Sequence, residues 1–398
     1  MAGIAALAVA YVLSQFYRSF LAVLTPALTA ELGATKADLS LASGIYFLTF
    51  ALAQFPVGVS LDRFGPRRTC AVLLAAGGAG GALMFSLAQS PWTVVGAMAL
   101  IGVGCAPVLM ASLFIFARIY TPARFAVLTS WLIAFGALGN VVGASPLANA
   151  AEALGWRPVM AGLGLFTLLS AALILILVHD PAAPPDMKQD GRGLRGYLDL
   201  LKMPVLWPII PITALNYAPP IGIRGLWAGP YLQDVYGADA IIIGNITFFM
   251  ALAMVAGNFI YGPLDTLLRT RKWVGVGGTA LALAALGYLA LNVITDTTTV
   301  TILLILIGLA GGAYGLLMAH ARAFFPPHLV GRGVTLMNFF TIGGVGIMQF
   351  ATGAVVSSTA DPHNPSGPYA ALFGFYFVLL AAALVIYLFS RDARPERR

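Results

Sequence analysis

Gly58-Val59-Ser60-Leu61-Asp62-Arg63-Phe64-Gly65-Pro66-Arg67-Arg68 sets four charges close together in a 398-residue chain that is 9% charged and 60% hydrophobic. A soluble protein carries roughly 25% charged residues, so the composition excludes one. A charge at the centre of a bilayer costs at least about 2.5 kcal/mol, so the cluster marks the ends of two membrane spans. Uncharged runs flank it, 39–61 before and 69–117 after. The second is too long for a single span of about 20 residues, and Gln89-Ser90-Pro91 divides it in two.

The same rule extends along the chain. Further charge-bounded intervals, 125–151, 158–178, 240–264, 273–295, 297–321, 333–360 and 362–390, each hold one helix. A first span at about 4–30 and a seventh at about 204–232 complete an expected twelve. The N-terminal run reads as a permanent first helix rather than a cleaved signal. With both termini cytoplasmic, that side receives 18 of the 22 Lys and Arg. These are Arg63, Arg67, Arg68, Arg118, Arg124, Lys188, Arg192, Arg195, Lys202, Arg269, Arg271, Lys272, Arg322, Arg332, Arg391, Arg394, Arg397 and Arg398. Lys36 and Arg157 fall outside, a strong positive-inside bias. The net charge of +7 is therefore spread over short loops, which points to a lipid bilayer and away from nucleic acid. Cys70 and Cys105 sit in apolar runs without ligand spacing, so no disulfide, metal or cofactor is expected.

A polar stretch, 181–203, with Pro181, Pro184 and Pro185, reads as a cytoplasmic linker between two six-helix bundles, 1–180 and 204–398. Shifting the sequence by 204 residues pairs Pro26 with Pro230, Gly33 with Gly237, Gln54 with Asn258, Gly58 with Gly262 and Gly104 with Gly308. It also pairs Arg67 with Arg271, Arg68 with Lys272, Arg118 with Arg322 and Pro122 with Pro326. Matches that fall on Gly, Pro, cations and one amide pair indicate a parallel repeat, which places a substrate site at the repeat interface near the midplane. The expected fold is all-α, twelve transmembrane helices in two pseudo-symmetric bundles.

The opening stretch, a Gly with Asp-Arg four residues on and then a Gly and a basic pair, resembles the helix 2–3 loop of the major facilitator superfamily. A degenerate copy, Gly262-Pro263-Leu264-Asp265 with Arg269, Arg271 and Lys272, stands in the matching loop of the second half. Gly58 would let its helix approach a neighbour closely, and Asp62 would pair with a cation or a helix N-terminus. The resemblance implies that Gly58, Asp62, Arg63, Gly65, Arg67, Arg68 and Asp265 latch the halves on the cytoplasmic side in the outward-open state. The competing reading is that the arginines anchor the loop to anionic lipid. The helix 4 arginine of many proton-coupled members would fall near Met98 and is absent. Gly136, Gly139, Gly143 and Pro146 lack the antiporter arrangement of helix 5. Gly343, Gly344 and Gly346 are faintly similar to nitrate porters, whose helix 2 and 8 arginines are missing here.

Arg18, in the middle of the first span, and Arg224, well inside the seventh, are the two firmly intramembrane charges, whereas all 15 acidic residues lie at span ends or in loops. Two guanidinium groups without a carboxylate suit an anion bidentately. The alternative is that they snorkel, or cap carbonyls freed by Pro219-Pro220. Superfamily members for organophosphates and organic carboxylates resemble this chain in placing arginines on helices 1 and 7. Tyr11, Ser14, Gln15 and Arg18 share one helical stripe, and Thr213, Tyr217 and Arg224 another. Gln15, Tyr11 and Tyr217 are accordingly candidate substrate ligands, while Tyr46, Trp131, Asn140, Tyr314, Asn338 and Gln349 are further polar or aromatic positions within spans. His320 offers proton coupling or, alternatively, an interfacial role beside a basic cluster.

The expected function is a monomeric, multi-pass cell-membrane transporter, not an enzyme, that carries a small organic or phosphorylated anion across a bacterial inner membrane by alternating access. The alternatives are a proton-coupled efflux pump, a nitrate-type porter, or a sensor on the same scaffold.

Overall fold

The computed structural model describes residues 2–120, 122–181, 195–291, 296–326, 329–361 and 363–393, which are helical with no strand among them. Most of the expected linker and the cations Lys188, Arg192, Arg394, Arg397 and Arg398 lie outside the described residues, as does the side chain of Asp62.

The helices are α1 (Ala2–Phe16), α2 (Leu21–Leu32), α3 (Lys36–Phe64), α4 (Pro66–Leu73), α5 (Gly80–Ser86), α6 (Pro91–Ile119), α7 (Pro122–Val142), α8 (Ser145–Leu154) and α9 (Trp156–Leu177). They continue as α10 (Arg195–Leu201), α11 (Ile209–Asn216), α12 (Ala218–Gly222), α13 (Ala228–Tyr236), α14 (Ala240–Leu267), α15 (Lys272–Ala290), α16 (Thr297–Gly311), α17 (Tyr314–Arg322), α18 (Val330–Ser358) and α19 (Gly367–Tyr387). Among the described residues nine helices are long and apolar enough to cross a membrane, and two bent pairs, α1 with α2 and the end of α7 with α8, raise this to eleven. The expected seventh span is broken instead into α11, α12, a π-turn at Ile223–Trp227 and α13. Pro219 and Pro220, which cannot donate to the carbonyls one turn back, account for that.

The chain divides into two compact units. The first holds Met1–Pro184 with Gly225–Gln233 and Gly237–Phe248; the second holds Pro185–Arg224, Asp234–Tyr236 and Phe249–Arg398.

In the first unit glycines permit close helix crossings, the usual way helices associate where no hydrophobic force drives them together. A Cβ on Gly102 would strike the Tyr46 carbonyl, joining α6 to α3, and one on Gly104 would strike the Gly77–Gly78 backbone. Those two residues lie in a π-turn, Leu74–Ala79, that joins α4 to α5 where α6 presses on them. On α7, Gly136 meets the Tyr11 ring and Gly139 the Val12 carbonyl. The ends are locally encoded: Ser90 caps α6, and Thr35 with Asp38 forms a reciprocal capping box at α3. In the second unit Gly308 sits on Met250, Gly257 and Gly312 on each other, and Gly344 on the Ala214 carbonyl.

The repeat has a backbone counterpart. Gly33 ends α2 at φ 63° and Gly237 ends α13 at φ 64°, each donating to the carbonyl four residues back, from Thr29 and Gln233. Gly58 departs from expectation: a Cβ there meets nothing within 4 Å, and neither does one on its repeat partner Gly262. Close glycine crossings of this unit include those at Gly102 and Gly104.

Gly104→Ala should therefore lower the melting temperature of the purified protein, as overpacking by about 1–3 kcal/mol does. Gly58→Ala and Gly262→Ala, lying within helices in open space, should leave it unchanged or slightly raised, which thermal unfolding in detergent checks.

Candidate functional site

Arg18 lies between helices rather than along one. α1 stops at Phe16, residues 17–20 form turns, and α2 leaves at 52° to α1. Neither Pro nor Gly lies in that turn; aromatic packing holds it. Phe16, Tyr17 and Phe20 pack on one another, Phe20 on Phe85 at 5.2 Å, and Phe85 on Trp156 at 5.7 Å. Tyr17 Oη shares a hydrogen bond with Thr167 Oγ1 at 2.9 Å. The Arg18 guanidinium rests over the Phe50 ring at 4.7 Å from its centroid, a contact of about 0.5–2 kcal/mol. The Tyr46 hydroxyl, which donates to the Ser14 carbonyl at 3.4 Å, and the Cys105 thiol are its electrostatic neighbours. Cys70 and Cys105 are free thiols and buried. Tyr11 and Gln15 remain together on α1, where Gln15 Nε2 donates to Tyr11 Oη at 3.0 Å. The stripe expected from Tyr11 to Arg18 thus ends at Gln15, because the helix does.

Arg224 belongs to the second unit and is 1% exposed, on the π-turn Ile223–Trp227. Its expected stripe with Thr213 and Tyr217 is likewise interrupted, by α12 and the π-turn. Gln349 Nε2 donates to the Gly222 carbonyl at 3.4 Å, so the amide of α18 reaches the break ahead of Arg224. Tyr217 stacks on Tyr314, centroids 4.8 Å apart, and Tyr314 Oη donates to Asn338 Oδ1 at 3.0 Å.

At the loop between α3 and α4, Arg63 and Arg68 are exposed, and Gly65 has φ 83°. The Arg67 amide donates at 2.8 Å to Asp180, just past α9. The matching loop of the second unit is tied through several side chains. Arg271 Nε reaches Asp265 Oδ2 at 3.1 Å. Asp392, past α19, accepts from Thr270 Oγ1 at 2.6 Å and from the Arg271 and Lys272 amides at 3.2 and 3.0 Å. Lys272 Nζ donates to the Leu388 and Ser390 carbonyls. His320 closes the cluster: Nε2 lies 2.8 Å from the Arg391 carbonyl and Nδ1 2.7 Å from Tyr387 Oη. A carbonyl only accepts, so Nε2 carries the proton and Nδ1 accepts from the tyrosine, which satisfies a neutral imidazole completely.

Sequence reasoning passed over Asp180 and Asp392. Each follows the last helix of its half and serves the start of the half's third helix, a correspondence that repeat alignment at a slightly different offset would have exposed. Among the described residues no group of three His, Cys, Asp or Glu is placed to hold a metal.

Partial burial of Asp392, which alone raises a carboxyl, is outweighed by the hydrogen bonds from Thr270, Lys272 and Arg271, and its pKa lies below the usual carboxylate range. A carboxylate with a depressed folded pKa stabilises above its unfolded value and loses that contribution as pH falls through the folded one. Hydrogen-exchange protection in the first turn of α15, measured relative to the intrinsic rate at each pH, should therefore be high at neutral pH, fall as pH drops below the ordinary carboxylate range, and be low already at neutral pH in Asp392→Asn.

The fold is that of a multi-span helical protein, with Arg18 and Arg224 at breaks between helices. The chain belongs to the Major Facilitator Superfamily, whose model matches residues 7–219 and 221–398. It is a multi-pass membrane transporter and not an enzyme. The chain is 25% identical over 309 residues to the "Membrane sensor protein UhpC" of Salmonella typhimurium, covering 67% of each chain. Among solved structures, a bacterial homologue of the human lysosomal transporter Spinster, inward-facing and occupied, is 18% identical with a TM-score of 0.75, covering 97% of this chain and 96% of that one. A D-xylose–proton symporter is 14% identical with a TM-score of 0.77, covering 98% of both. These two likenesses establish the fold.

Proposed function

We propose that this transporter carries a small organic or phosphorylated anion, bound by Arg18 and Arg224, by alternating access between its two halves. The observation that carries the reading is the placement of both arginines at breaks in their spans. An intramembrane cation is costly, and a helix break there is costly too. A chain that keeps both costs at repeat-related positions retains them for a ligand that repays them, and a guanidinium fork matches a carboxylate or phosphate. Gln15, Tyr11 and Tyr217 are the neighbouring ligands under this reading. Gly58, Asp62, Arg63, Gly65, Arg67, Arg68 and Asp265 serve as the cytoplasmic latch, with Asp180 and Asp392 supporting the two loops. The 15 acidic residues lie at span ends or in loops, which favours anion exchange or facilitated movement over a proton-driven drug pump. His320, bonded at both nitrogens, fits a tie between helices better than a proton carrier.

A second reading has one specific support. The curated relative is named a membrane sensor, and a sensor on this scaffold would bind the same anion without moving it. Counterflow in proteoliposomes against carboxylates, phosphate esters and inorganic phosphate, with and without a pH gradient, separates the two. Wild type should exchange at least one anion. Arg18→Ala and Arg224→Ala should each cut exchange at least a hundredfold, about 3 kcal/mol for a charge-assisted bidentate pair, with normal membrane insertion. Arg→Lys should recover only part of it, since the ammonium lacks the fork. Full anion exchange in either alanine variant would sink the proposed site, and tight binding without flux would favour the sensor.

A further inference from the structure

We propose that Phe50 is a positioning residue for transport: its ring, on α3, holds the Arg18 guanidinium in the plane in which it meets the anion. This rests on the anion reading above and adds to it the residue that aims one of its two charges. Every residue involved belongs to the first unit. Arg18 stands in the turn between α1 and α2, so no helix of its own sets the direction of its side chain. The guanidinium carbon lies 4.7 Å from the Phe50 ring centroid, and Phe50 is 3% exposed. A guanidinium over an aromatic face is attracted by the ring quadrupole, more strongly where water is excluded. The N–H groups that fork onto a carboxylate or phosphate lie in the guanidinium plane, whereas the ring covers a face, so the two contacts do not compete.

Tyr46, one turn before Phe50 on α3, completes the seat. In an unbroken helix the Ser14 carbonyl would accept from the Arg18 amide, but that amide bonds the Gln15 carbonyl at 3.3 Å. The Tyr46 hydroxyl donates to the Ser14 carbonyl instead, at 3.4 Å. Its one proton is thereby committed and the phenol oxygen otherwise accepts, which suits the cation beside it. The Tyr46 and Phe50 rings lie 6.2 Å apart, tilted by 34°. This platform is anchored away from the turn: Thr49 Oγ1 lies 3.0 Å from the Ala99 carbonyl of α6, and Gly102 of α6 sits against the Tyr46 carbonyl. Without the ring, the anion would have to order a long, flexible side chain as it binds, a cost in affinity rather than in the rate of the conformational change.

Arginine modification by phenylglyoxal, read peptide by peptide by mass spectrometry, tests the seat without any substrate. Phe50→Leu and Phe50→Met remove the ring and keep apolar bulk, and the second guards against a folding defect in the first. Each should speed modification of Arg18 about two- to thirtyfold, the range of such a stacking contact, while Phe50→Tyr stays near wild type. The exposed Arg63 should react alike in all four proteins. Counterflow of inorganic phosphate, n-propyl phosphate and lactate then reads function. Phe50→Leu and Phe50→Met should raise the half-saturation concentration by a similar factor with the maximal rate held, and Phe50→Tyr should recover most of the loss. Unchanged modification of Arg18, unchanged half-saturation, or an equal defect in Phe50→Tyr overturns the positioning role, and the anion reading stands if Arg18→Ala abolishes exchange. Undiminished exchange in Arg18→Ala, or exchange of none of the three probes by wild type, overturns both.

Discussion

Every backbone amide and carbonyl inside a bilayer has to find a partner within the protein, and the rest of this structure follows from that demand. It makes continuous helices the default and turns each interruption into a local problem needing its own solution. Between α1 and α2 the solution is aromatic, with Phe16, Tyr17 and Phe20 packed on one another, Phe20 on Phe85, Phe85 on Trp156, and Tyr17 bonded to Thr167. At α12 it is polar, with the Gln349 amide on the Gly222 carbonyl. Both arginines of the proposed site stand at these interruptions, so the positions that cost most to build carry a charge.

The sequence discloses much of this architecture because membrane folding rewards one simple segregation. Charges such as Arg63, Arg67 and Lys272 lie where spans end, and Ser90-Pro91 splits the long run 69–117 at the start of α6. The 204-residue repeat reappears in the twin left-handed caps at Gly33 and Gly237. The seventh span was half legible, since Pro219-Pro220 announces a break without saying how it is bridged. The break at Tyr17–Phe20 was not legible, because no residue in it disfavours helix strongly. What bends the chain is packing against Phe85, Trp156 and Thr167, all far away in sequence. Gly58 shows the opposite failure: a glycine at a motif position suggests contact, and the structure gives it space.

Each unit ties the loop before its third helix to the segment after its last helix. In the first, the loop after α3 is met by Asp180 through the Arg67 amide. In the second, the loop after α14 is bound through Asp392, Lys272, Arg271 and His320, mostly to main-chain atoms. In both units a carboxylate that follows the last helix of the half accepts from backbone amides at the start of the half's third helix.

The tie in the second unit bears on biogenesis. α15 acquires its N-terminal cap from Asp392, a residue made 120 positions after Lys272. While the later helices are being synthesised and inserted, α15 sits in the membrane with its first amides and the Lys272 ammonium unclaimed by the segment that finally holds them. The second bundle is therefore completed by one of its last-made pieces, as a drawstring closes a bag. A membrane insertase or quality-control protease would meet an open bundle until residues 388–392 arrive, and a closed one afterwards.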